Sequence, residues 1–282
     1  MARVRLDDEL VAQGVCDSRD DALRLVMSGA VSAAGERLTS AGMLVRPGLE
    51  LHVKGRTGFV GRGGLKLQGA LEACAVDPCG LSCLDVGCST GGFTDCLLKA
   101  GAARVLAVDV GRAQFAWSLR CDPRVTLLER TNIVDVPGLG YRAAFDLAVC
   151  DVSFTGIATV LPAVLELLGP CGRFLSLVKP QFEAAREDVG AGGVVRDPAV
   201  RAVVLERVIR LFAASGLEPV RACASPITGA KGNREYFVLG VSTGQDAESD
   251  GRADAPARRA PALAGAALDA RVEELLLEAG AL

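Results

Sequence analysis

The sequence LDVGCSTGGF occupies residues 84–93. An apolar strand here runs into a turn of small residues, as at the strand-to-helix junctions of parallel sheets. Asp109 closes the next apolar run, Val105–Val108. Glycines let the backbone approach a ligand closely, and an acid about twenty residues later accepts hydrogen bonds from ribose hydroxyls. The stretch therefore predicts a nucleotide-type cofactor at the carboxyl edge of a parallel sheet, and hence an enzyme.

The glycines of this turn are Gly87, Gly91 and Gly92, and no Gly-Lys-Ser/Thr follows them. The turn is therefore neither a P-loop nor a G-x-G-x-x-G dinucleotide turn. A pyrophosphate needs backbone amides against its phosphates, so this longer turn favours a cofactor without phosphates, such as S-adenosylmethionine. Asp85 is placed to meet its ammonium group. An ordinary turn without a ligand is the alternative, and the position of Asp109 argues against it.

Composition restricts the function classes. Half of the 282 residues are apolar, and the net charge is −3, so any nucleic-acid site must be a local patch. No apolar run is long enough to span a membrane, and residues 1–8 lack the apolar core of a signal peptide, so we expect a cytoplasmic protein without membrane contact. The ten cysteines form no C-x-x-C pair and His52 is the only histidine, so we expect reduced cysteines and no metal.

Changes in pattern divide the chain into four parts. Residues 1–54 predict a small α+β module with helices at Arg5–Gly14 and Ser18–Ser28, the second capped by Ser18. Residues 55–64 form a glycine-rich linker, and residues 65–241 alternate between strands and helices. Residues 242–282 form an Ala/Gly-rich tail that we expect to be disordered, apart from a short helix at Asp269–Ala279.

The alternation in residues 65–241 predicts an α/β fold with a parallel, doubly wound sheet. The predicted strands are Ser82–Val86, Arg104–Asp109, Val125–Leu128, Leu147–Cys150, Arg173–Val178, Val220–Ala224 and Glu235–Gly240. Only a loop joins the last two, so the final strand must run antiparallel to its neighbours. One antiparallel strand in an otherwise parallel sheet is the Rossmann-like methyltransferase arrangement.

Four charged residues meet at one rim of this predicted sheet. Asp151 and Lys179 each follow a strand, and the ligand crevice lies at the carboxyl ends of the strands. Glu235 begins the antiparallel strand and so reaches the same rim. Lys66 joins them if its helix packs beside the sheet edge. The alternative is a set of unrelated surface salt bridges, which are common.

Two lysines and two acids suit the methylation of a hydroxyl group. The hydroxyl proton must leave as the methyl group arrives, and a lysine that has lost its own proton can take it. A second ammonium nearby and partial burial both favour that loss. We therefore hypothesise that Lys179 is the base, that Lys66 orients the ribose, and that Asp151 and Glu235 fix the lysines.

The first module resembles the S-four RNA-binding unit through Ser18-Arg19-x-x-Ala22 and the Gly29-x-Val31 turn. The resemblance implies RNA binding, although Asp20 and Asp21 stand where the family is usually more basic. The arginines that we expect to touch phosphates are Arg3, Arg5, Arg19 and Arg24 in the module and Arg56 and Arg62 in the linker.

The whole of residues 3–241 resembles the TlyA family of S-four-containing, FtsJ-like RNA methyltransferases, some of which are labelled haemolysins. The motifs that carry the resemblance are RGGLKL at 62–67, DVGCSTGGFT at 85–94, LERTN at 128–132, CDVSF at 150–154, VKPQF at 178–182 and GNREYF at 232–237. The resemblance implies S-adenosylmethionine, 2′-O-methylation of cytidine, and ribosomal RNA or ribosomal subunits as partner. The family's Lys-Asp-Lys-Glu tetrad falls on Lys66, Asp151, Lys179 and Glu235. The implied cofactor residues are Asp85, Gly87, Ser89, Thr90, Gly91, Gly92, Phe93, Asp109 and Asn132.

Several other functions are weaker alternatives. No proline pair follows Asp151, which disfavours methylation of a base amine, and Cys150 should point away from Asp151 along the strand, which disfavours cytosine-carbon methylation. A nicotinamide oxidoreductase would leave the two lysines without a task. A pore-forming haemolysin and an RNA-binding protein with a degenerate enzyme domain also remain open.

Overall fold

The computed structural model describes residues 3–13, 15–16, 18–53, 58–229, 231–243 and 264–282. Its first part is a small α+β module. The elements of this module are β1 (Val4–Arg5), α1 (Leu6–Ala12), α2 (Arg19–Met27), β2 (Val31–Ala33), β3 (Glu36–Arg37), β4 (Leu44–Val45) and β5 (His52–Val53). β1 pairs with β4, and β2 pairs with both β3 and β5, all antiparallel.

Both predicted helices of the module are confirmed. The hydroxyl oxygen of Ser18 accepts a hydrogen bond from the backbone N–H of Asp21, so Ser18 caps α2 as expected. The apolar faces of the two helices meet over the strands around Leu6, Leu10 and Val26, which are buried. The module thus has a hydrophobic core of its own.

The second part is a seven-stranded sheet with the order β11-β12-β10-β9-β6-β7-β8. Its strands are β6 (Ser82–Val86), β7 (Arg104–Asp109), β8 (Val125–Glu129), β9 (Phe145–Cys150), β10 (Leu168–Val178), β11 (Leu217–Ala224) and β12 (Tyr236–Ser242). β12 is antiparallel to both of its neighbours, and every other pair is parallel. The predicted reversal of the last strand is confirmed.

Helices cover both faces of this sheet. They are α3 (Gly63–Ala73), α4 (Gly92–Lys99), α5 (Trp117–Arg120), α6 (Ile157–Leu167), α7 (Pro180–Glu183), α8 (Pro198–Ala214) and α9 (Gly265–Glu278), with 3-10 helices at Ile133–Leu139 and Arg186–Asp188. Side chains alternate along β6, so Leu84 and Val86 join one core cluster and Cys83 joins the other. A sheet buried on both faces explains why its strands are continuously apolar in sequence.

The end of the predicted linker is docked on α4. The backbone N–H of Val60 donates to the carboxylate of Asp95 (2.9 Å), and the ammonium of Lys99 donates to the carbonyl oxygen of Gly58 (2.5 Å). α3 begins at Gly63, one residue before the predicted end of the linker at residue 64. Residues 54–57, which include Arg56, lie outside the described residues.

The short helix predicted at Asp269–Ala279 is present as α9, which begins four residues earlier. Val272, Leu275 and Leu276 are buried in the same cluster as α8, and the guanidinium of Arg271 donates to the carbonyl oxygen of Pro219 in β11 (3.1 Å). The predicted disorder concerns residues 242–262, most of which lie outside the described residues. In the described part of the chain, no helix has the length and apolarity needed to cross a bilayer.

Candidate active site

The four predicted catalytic side chains lie at the carboxyl edge of the sheet, where they form two ion pairs. Asp151 follows β9 and Lys179 follows β10, while Glu235 precedes the reversed strand β12. Lys66 lies in the first turn of α3. Two ion pairs result, Lys66 with Glu235 and Lys179 with Asp151.

The Lys66–Glu235 pair is shielded from solvent. The ammonium nitrogen lies 2.5 Å from Oε2 of Glu235, and the two side chains are only 11% and 2% exposed. The side-chain amide of Gln181 also donates to Glu235 Oε1, at 3.4 Å. Glu235 therefore holds Lys66 from within the core.

The Lys179–Asp151 pair has a third member that sequence reasoning missed. The Lys179 ammonium donates to the hydroxyl oxygen of Ser153 at 2.9 Å, in addition to its ion pair with Asp151. Ser153 belongs to the CDVSF motif, which was the only sequence signal for it. The ammonium also lies 5.9 Å from the ring centroid of Phe182, and Phe182 packs against Phe154, whose side chain is 91% exposed.

A cavity of about 530 Å³ opens beside these pairs, at the carboxyl ends of β6, β7 and β9. The predicted site residues in its wall are Gly87, Ser89, Asp109, Asn132 and Asp151. A smaller cavity of about 190 Å³ shares several of these residues and adds Thr90, Gly92, Phe93 and Lys179. Lys179 thus lines the smaller cavity, whereas Lys66 lines neither.

Two glycines of the turn are required by close backbone contacts. A Cβ atom on Gly87 would lie 2.7 Å from the carbonyl oxygen of Asp151, and Gly87 has a positive φ of 83°. A Cβ on Gly92 would lie 3.0 Å from the backbone nitrogen of Gly64, at the start of α3. Gly92 thereby lets α3, which carries Lys66, approach the turn.

Asp109 is bound to the turn through both of its oxygens. Oδ2 accepts from the backbone N–H of Ser89 (2.7 Å), and Oδ1 accepts from that of Gly111 (2.6 Å). These bonds fix the carboxylate at the wall of the cavity, with lone pairs left for further donors. Asn132 caps the 3-10 helix Ile133–Leu139 by accepting from the N–H of Val134 (3.3 Å).

Asp85 differs from the expectation that it meets the cofactor's ammonium. Side chains alternate along β6, so Asp85 points to the face covered by α4 and is fully buried. Its Oδ2 accepts from the hydroxyl of Thr94 at 2.6 Å, while Oδ1 is buried without a hydrogen-bond partner. Burial raises the pKa of Asp85 to about 7, against the lowering effect of the Thr94 bond. Asp85 lines neither cavity.

Phe93 lies mainly in the core. Its side chain is buried and stacks on Phe237, with ring centroids 6.2 Å apart, and Phe93 is also one of the residues that line the smaller cavity. Gly91 caps α4 from the left-handed region. Within the described residues, no group of three or more His, Cys, Asp or Glu side chains is arranged to hold a metal ion.

The arginines predicted to contact RNA fall into two groups. In the module, Arg5 pairs with Asp7, Arg19 with Asp8 and Arg24 with Asp21, at 2.5, 2.5 and 3.2 Å. Arg3 is exposed. Arg62 is exposed next to α3, and its guanidinium donates to the carbonyl oxygen of Thr228 at 3.4 Å.

S-adenosylmethionine fits the residues that are present. A cavity of about 530 Å³ is within the usual range for a small-molecule site. Asp109 places carboxylate oxygens in the cavity wall, which are acceptors of the kind that ribose hydroxyls require, and Gly87 lines the cavity without a side chain. The sheet order with one reversed strand, and this cavity above the glycine turn, define a methyltransferase of the Rossmann-like class.

Comparison with known proteins gives the family. Residues 59–241 match the model of the FtsJ-like methyltransferases, and residues 4–51 match that of the S4 domain. The chain therefore belongs to the FtsJ-like methyltransferase family and carries an S4 module. It is an enzyme that takes its methyl group from S-adenosylmethionine, and RNA is its class of partner.

Three similar proteins illustrate the family. The chain is 43% identical to the 16S/23S rRNA (cytidine-2'-O)-methyltransferase TlyA of Mycobacterium tuberculosis, over 90% of this chain and 96% of that protein. It is 37% identical to Hemolysin A of Brachyspira hyodysenteriae, over 83% of this chain and 98% of that one. A solved structure described as "Putative hemolysin from Streptococcus thermophilus" aligns with a TM-score of 0.65 and 38% identity, over 86% of this chain and 89% of the other. The resemblance seen in the sequence motifs is thereby confirmed.

Proposed function

We propose that this enzyme methylates the ribose 2′-hydroxyl of a cytidine in ribosomal RNA, as free RNA or within a ribosomal subunit. The observation that carries the proposal is the pair of lysine–carboxylate contacts at the cavity rim, one of which borders the cavity itself. Methyl transfer to a hydroxyl group needs a base at this rim. The single histidine of the sequence, His52, lies in β5 of the first module, so a lysine is the candidate base. The name of the mycobacterial relative supports cytidine and ribosomal RNA as the substrate.

Lys179 is the base in this proposal. It is the only one of the two lysines whose side chain borders the cavity, and three groups orient it: Asp151, Ser153 and the ring of Phe182. In its neutral form, Nζ would take the proton of the 2′-hydroxyl as the hydroxyl oxygen bonds to the methyl carbon and the carbon–sulfur bond of the bound sulfonium breaks, with its electron pair left on sulfur. Asp151 then stabilises the resulting ammonium as its counter-ion.

Lys66 orients the ribose in this proposal, and Glu235 positions Lys66. The buried Glu235 carboxylate leaves the lysine little freedom, because Oε2 holds the ammonium at 2.5 Å. An ammonium kept in one place donates to ribose oxygens without first losing rotamer entropy. Glu235 does not itself need to touch the substrate.

The cofactor residues are assigned in the same way. When bound, S-adenosylmethionine supplies an electrophilic methyl group on its sulfonium. Asp109 accepts from the ribose hydroxyls of the cofactor, Asn132 borders its adenine, and the turn at residues 87–93 faces its amino-acid end. Of the nine cofactor residues inferred from the sequence, Asp85 acts on the turn through Thr94 and does not touch the ligand.

The domain division is also a proposal: residues 1–54 deliver RNA, residues 65–241 carry out the reaction, and residues 55–64 connect them. The independent core of the first module and the separate sheet of the second support this division. Arg3, Arg5, Arg19 and Arg24 remain the module's candidates for phosphate contact, and Arg62 is the linker's candidate. Three of the module's arginines have an acidic partner to give up first.

A methylation assay tests the proposal. Ribosomal subunits from cells lacking this enzyme are incubated with it and S-adenosylmethionine, and the RNA nucleosides are separated by mass. We expect 2′-O-methylcytidine with the parent protein and with Arg142→Gln, a control at the opposite edge of the sheet. Lys179→Met should lose at least about a hundredfold in rate, the usual contribution of a general base, while S-adenosylmethionine still binds. A methyl group found only on a base would overturn the proposal.

Two further measurements separate the alternatives. Binding of S-adenosylmethionine is compared with binding of NAD, and NAD binding alone would support an oxidoreductase. Because two similar proteins bear the name hemolysin, lysis of red cells is measured for the parent and for Lys179→Ala. Equal lysis by both proteins would establish a lytic role independent of the methyl-transfer site.

A further inference from the structure

Three arginines of the S4 module are poorly available to phosphates, whereas Arg3, Arg37 and Arg46 are exposed and form no ion pair within the described residues. Arg5, Arg19 and Arg24 are each paired with an aspartate of the same module. Each aspartate neutralises the arginine charge that would otherwise attract a phosphate. These arginines therefore add little to the part of the RNA affinity that comes from counter-ion release. Further unpaired cations lie beside the catalytic rim itself.

Two loops beside the tetrad are joined into one surface, which we call the loop pair. It consists of residues 189–195 and residues 225–234, apart from residue 230, which is not described. The buried side chain of Asn233 ties them: its oxygen accepts from the N–H of Val195 (3.0 Å) and its amide donates to the carbonyl of Gly193 (2.8 Å). Because this amide is buried and bonded on both sides, the loop pair has a defined shape.

The loop pair carries cations that have no acidic partner. Lys231 and Arg234 are exposed, and neither forms an ion pair within the described residues. Residues 225–234 contain no Asp or Glu. Arg62 adds a third exposed cation through its bond to Thr228. Glu235 directly follows the second loop and is paired with Lys66, and Asp197, after the first loop, caps α8.

The loop pair adjoins the catalytic rim directly. Arg234 immediately precedes Glu235 in the chain, and a Cβ on Gly229 would lie 2.4 Å from Oε1 of that carboxylate. The backbone of the second loop thus borders the Lys66–Glu235 pair. A strand of RNA with one ribose at the rim places its neighbouring phosphates within reach of this surface, since successive phosphates along a nucleic-acid strand lie only a few ångströms apart.

We propose that the loop pair is a phosphate-binding surface for the RNA nucleotides next to the methylated ribose, with Lys231 and Arg234 as its cations and Arg62 at its edge. This inference rests on the proposed function, because it presupposes an RNA substrate. Charge complementarity selects a polyanion, and the position beside the tetrad selects the strand that carries the target ribose. The surface positions the substrate but takes no part in proton transfer.

The test is the salt dependence of RNA binding. Binding of ribosomal RNA fragments to the full chain is measured over a range of KCl concentrations for the parent, for Lys231→Gln/Arg234→Gln, and for Arg142→Gln. We expect the slope of log K against log salt to shrink by about two in the double variant, about one for each lost phosphate contact. Arg142→Gln should keep the parent slope, because Arg142 is already paired with Glu166 at the opposite edge of the sheet.

Binding of S-adenosylmethionine is measured on the same samples and should be unchanged, which shows that the fold is intact. A charge-reversed variant, Lys231→Glu/Arg234→Glu, should weaken RNA binding further than the neutral one. If both double variants keep the parent slope while the parent methylates ribosomal RNA, the loop pair is not a phosphate surface. If the parent itself produces no 2′-O-methylcytidine, the proposed function fails instead, so the two failures are distinguishable.

Discussion

The buried carboxyl group of Asp85 should make the stability of this protein depend on pH near neutrality. Burial raises its pKa from 3.8 to about 7. The folded state then binds this proton more tightly than the unfolded chain does, so the free energy of unfolding falls as the pH rises through this interval. At about 1.36 kcal/mol for each pH unit, the full loss is about 4 kcal/mol, of which about 2.5 kcal/mol falls between pH 5 and pH 8.

The perturbation is Asp85→Asn, which keeps an oxygen for the Thr94 hydroxyl but cannot ionise. Urea unfolding followed by circular dichroism is measured at pH 5 and pH 8 for the parent, for Asp85→Asn, and for Asp135→Asn, an exposed control. The amide costs stability at both pH values, because the surroundings of Oδ1 offer no hydrogen-bond partner. The test is therefore how the stability difference between the variant and the parent changes with pH. We expect the difference between Asp85→Asn and the parent to move by about 2.5 kcal/mol in favour of the variant at pH 8.

A difference that stays constant within about 0.5 kcal/mol from pH 5 to pH 8 would refute the reasoning, because a carboxyl with an ordinary pKa is ionised at both values. Thr94→Val supplies a second check. It removes the hydrogen bond that favours the ionised form, so the fall in stability should shift to higher pH. The affinity of Asp85→Asn for S-adenosylmethionine separates the two roles considered for this residue. If the carboxylate of Asp85 met the ammonium of the cofactor, the variant would bind S-adenosylmethionine more weakly than the parent at every pH.

Three other substitutions test the contacts of the site. Ser153→Ala should lower the rate of methyl transfer about tenfold, since a hydrogen bond to a charged group is worth about 1.5–3 kcal/mol, and Ser153→Thr should restore it; equal rates for all three proteins would exclude a role in orienting Lys179. Glu235→Ala should destabilise the fold by about 3 kcal/mol in urea, because it leaves a buried ammonium unpaired; a loss below about 1 kcal/mol would contradict that. Asp95→Ala should release the segment at Val60, so limited proteolysis should cut there faster than in the parent.

The sequence predicted the sheet well because its strands are continuous apolar runs, and it placed the ends of β6 and β7 at the residues where the structure has them. It missed β1 and β4, since two residues are too few to show a period. It also missed the 3-10 helix Ile133–Leu139, whose pattern is interrupted by Pro137. These elements depend on tertiary contacts that no short window of sequence contains.

The catalytic rim shows the same limit at the level of single contacts. Because ligand sites lie at the carboxyl ends of parallel strands, the sequence predicted that Asp151, Lys179 and Glu235 lie at one rim. It did not predict which acid pairs with which lysine, because either pairing is compatible with that position. The pairing follows from the direction of β12, which places Glu235 beside α3 and leaves Asp151 to Lys179.

This pairing has a chemical consequence. Each lysine carries its own counter-ion, so the tetrad consists of two separate ion pairs. Only the Lys179 half borders the cavities, whereas the Lys66 half is enclosed by α3 and the loop pair. A base must exchange its proton with substrate and solvent, and an orienting group must keep its charge in one place. The two halves are therefore suited to different tasks although each consists of one lysine and one carboxylate, because only one of them borders the cavities.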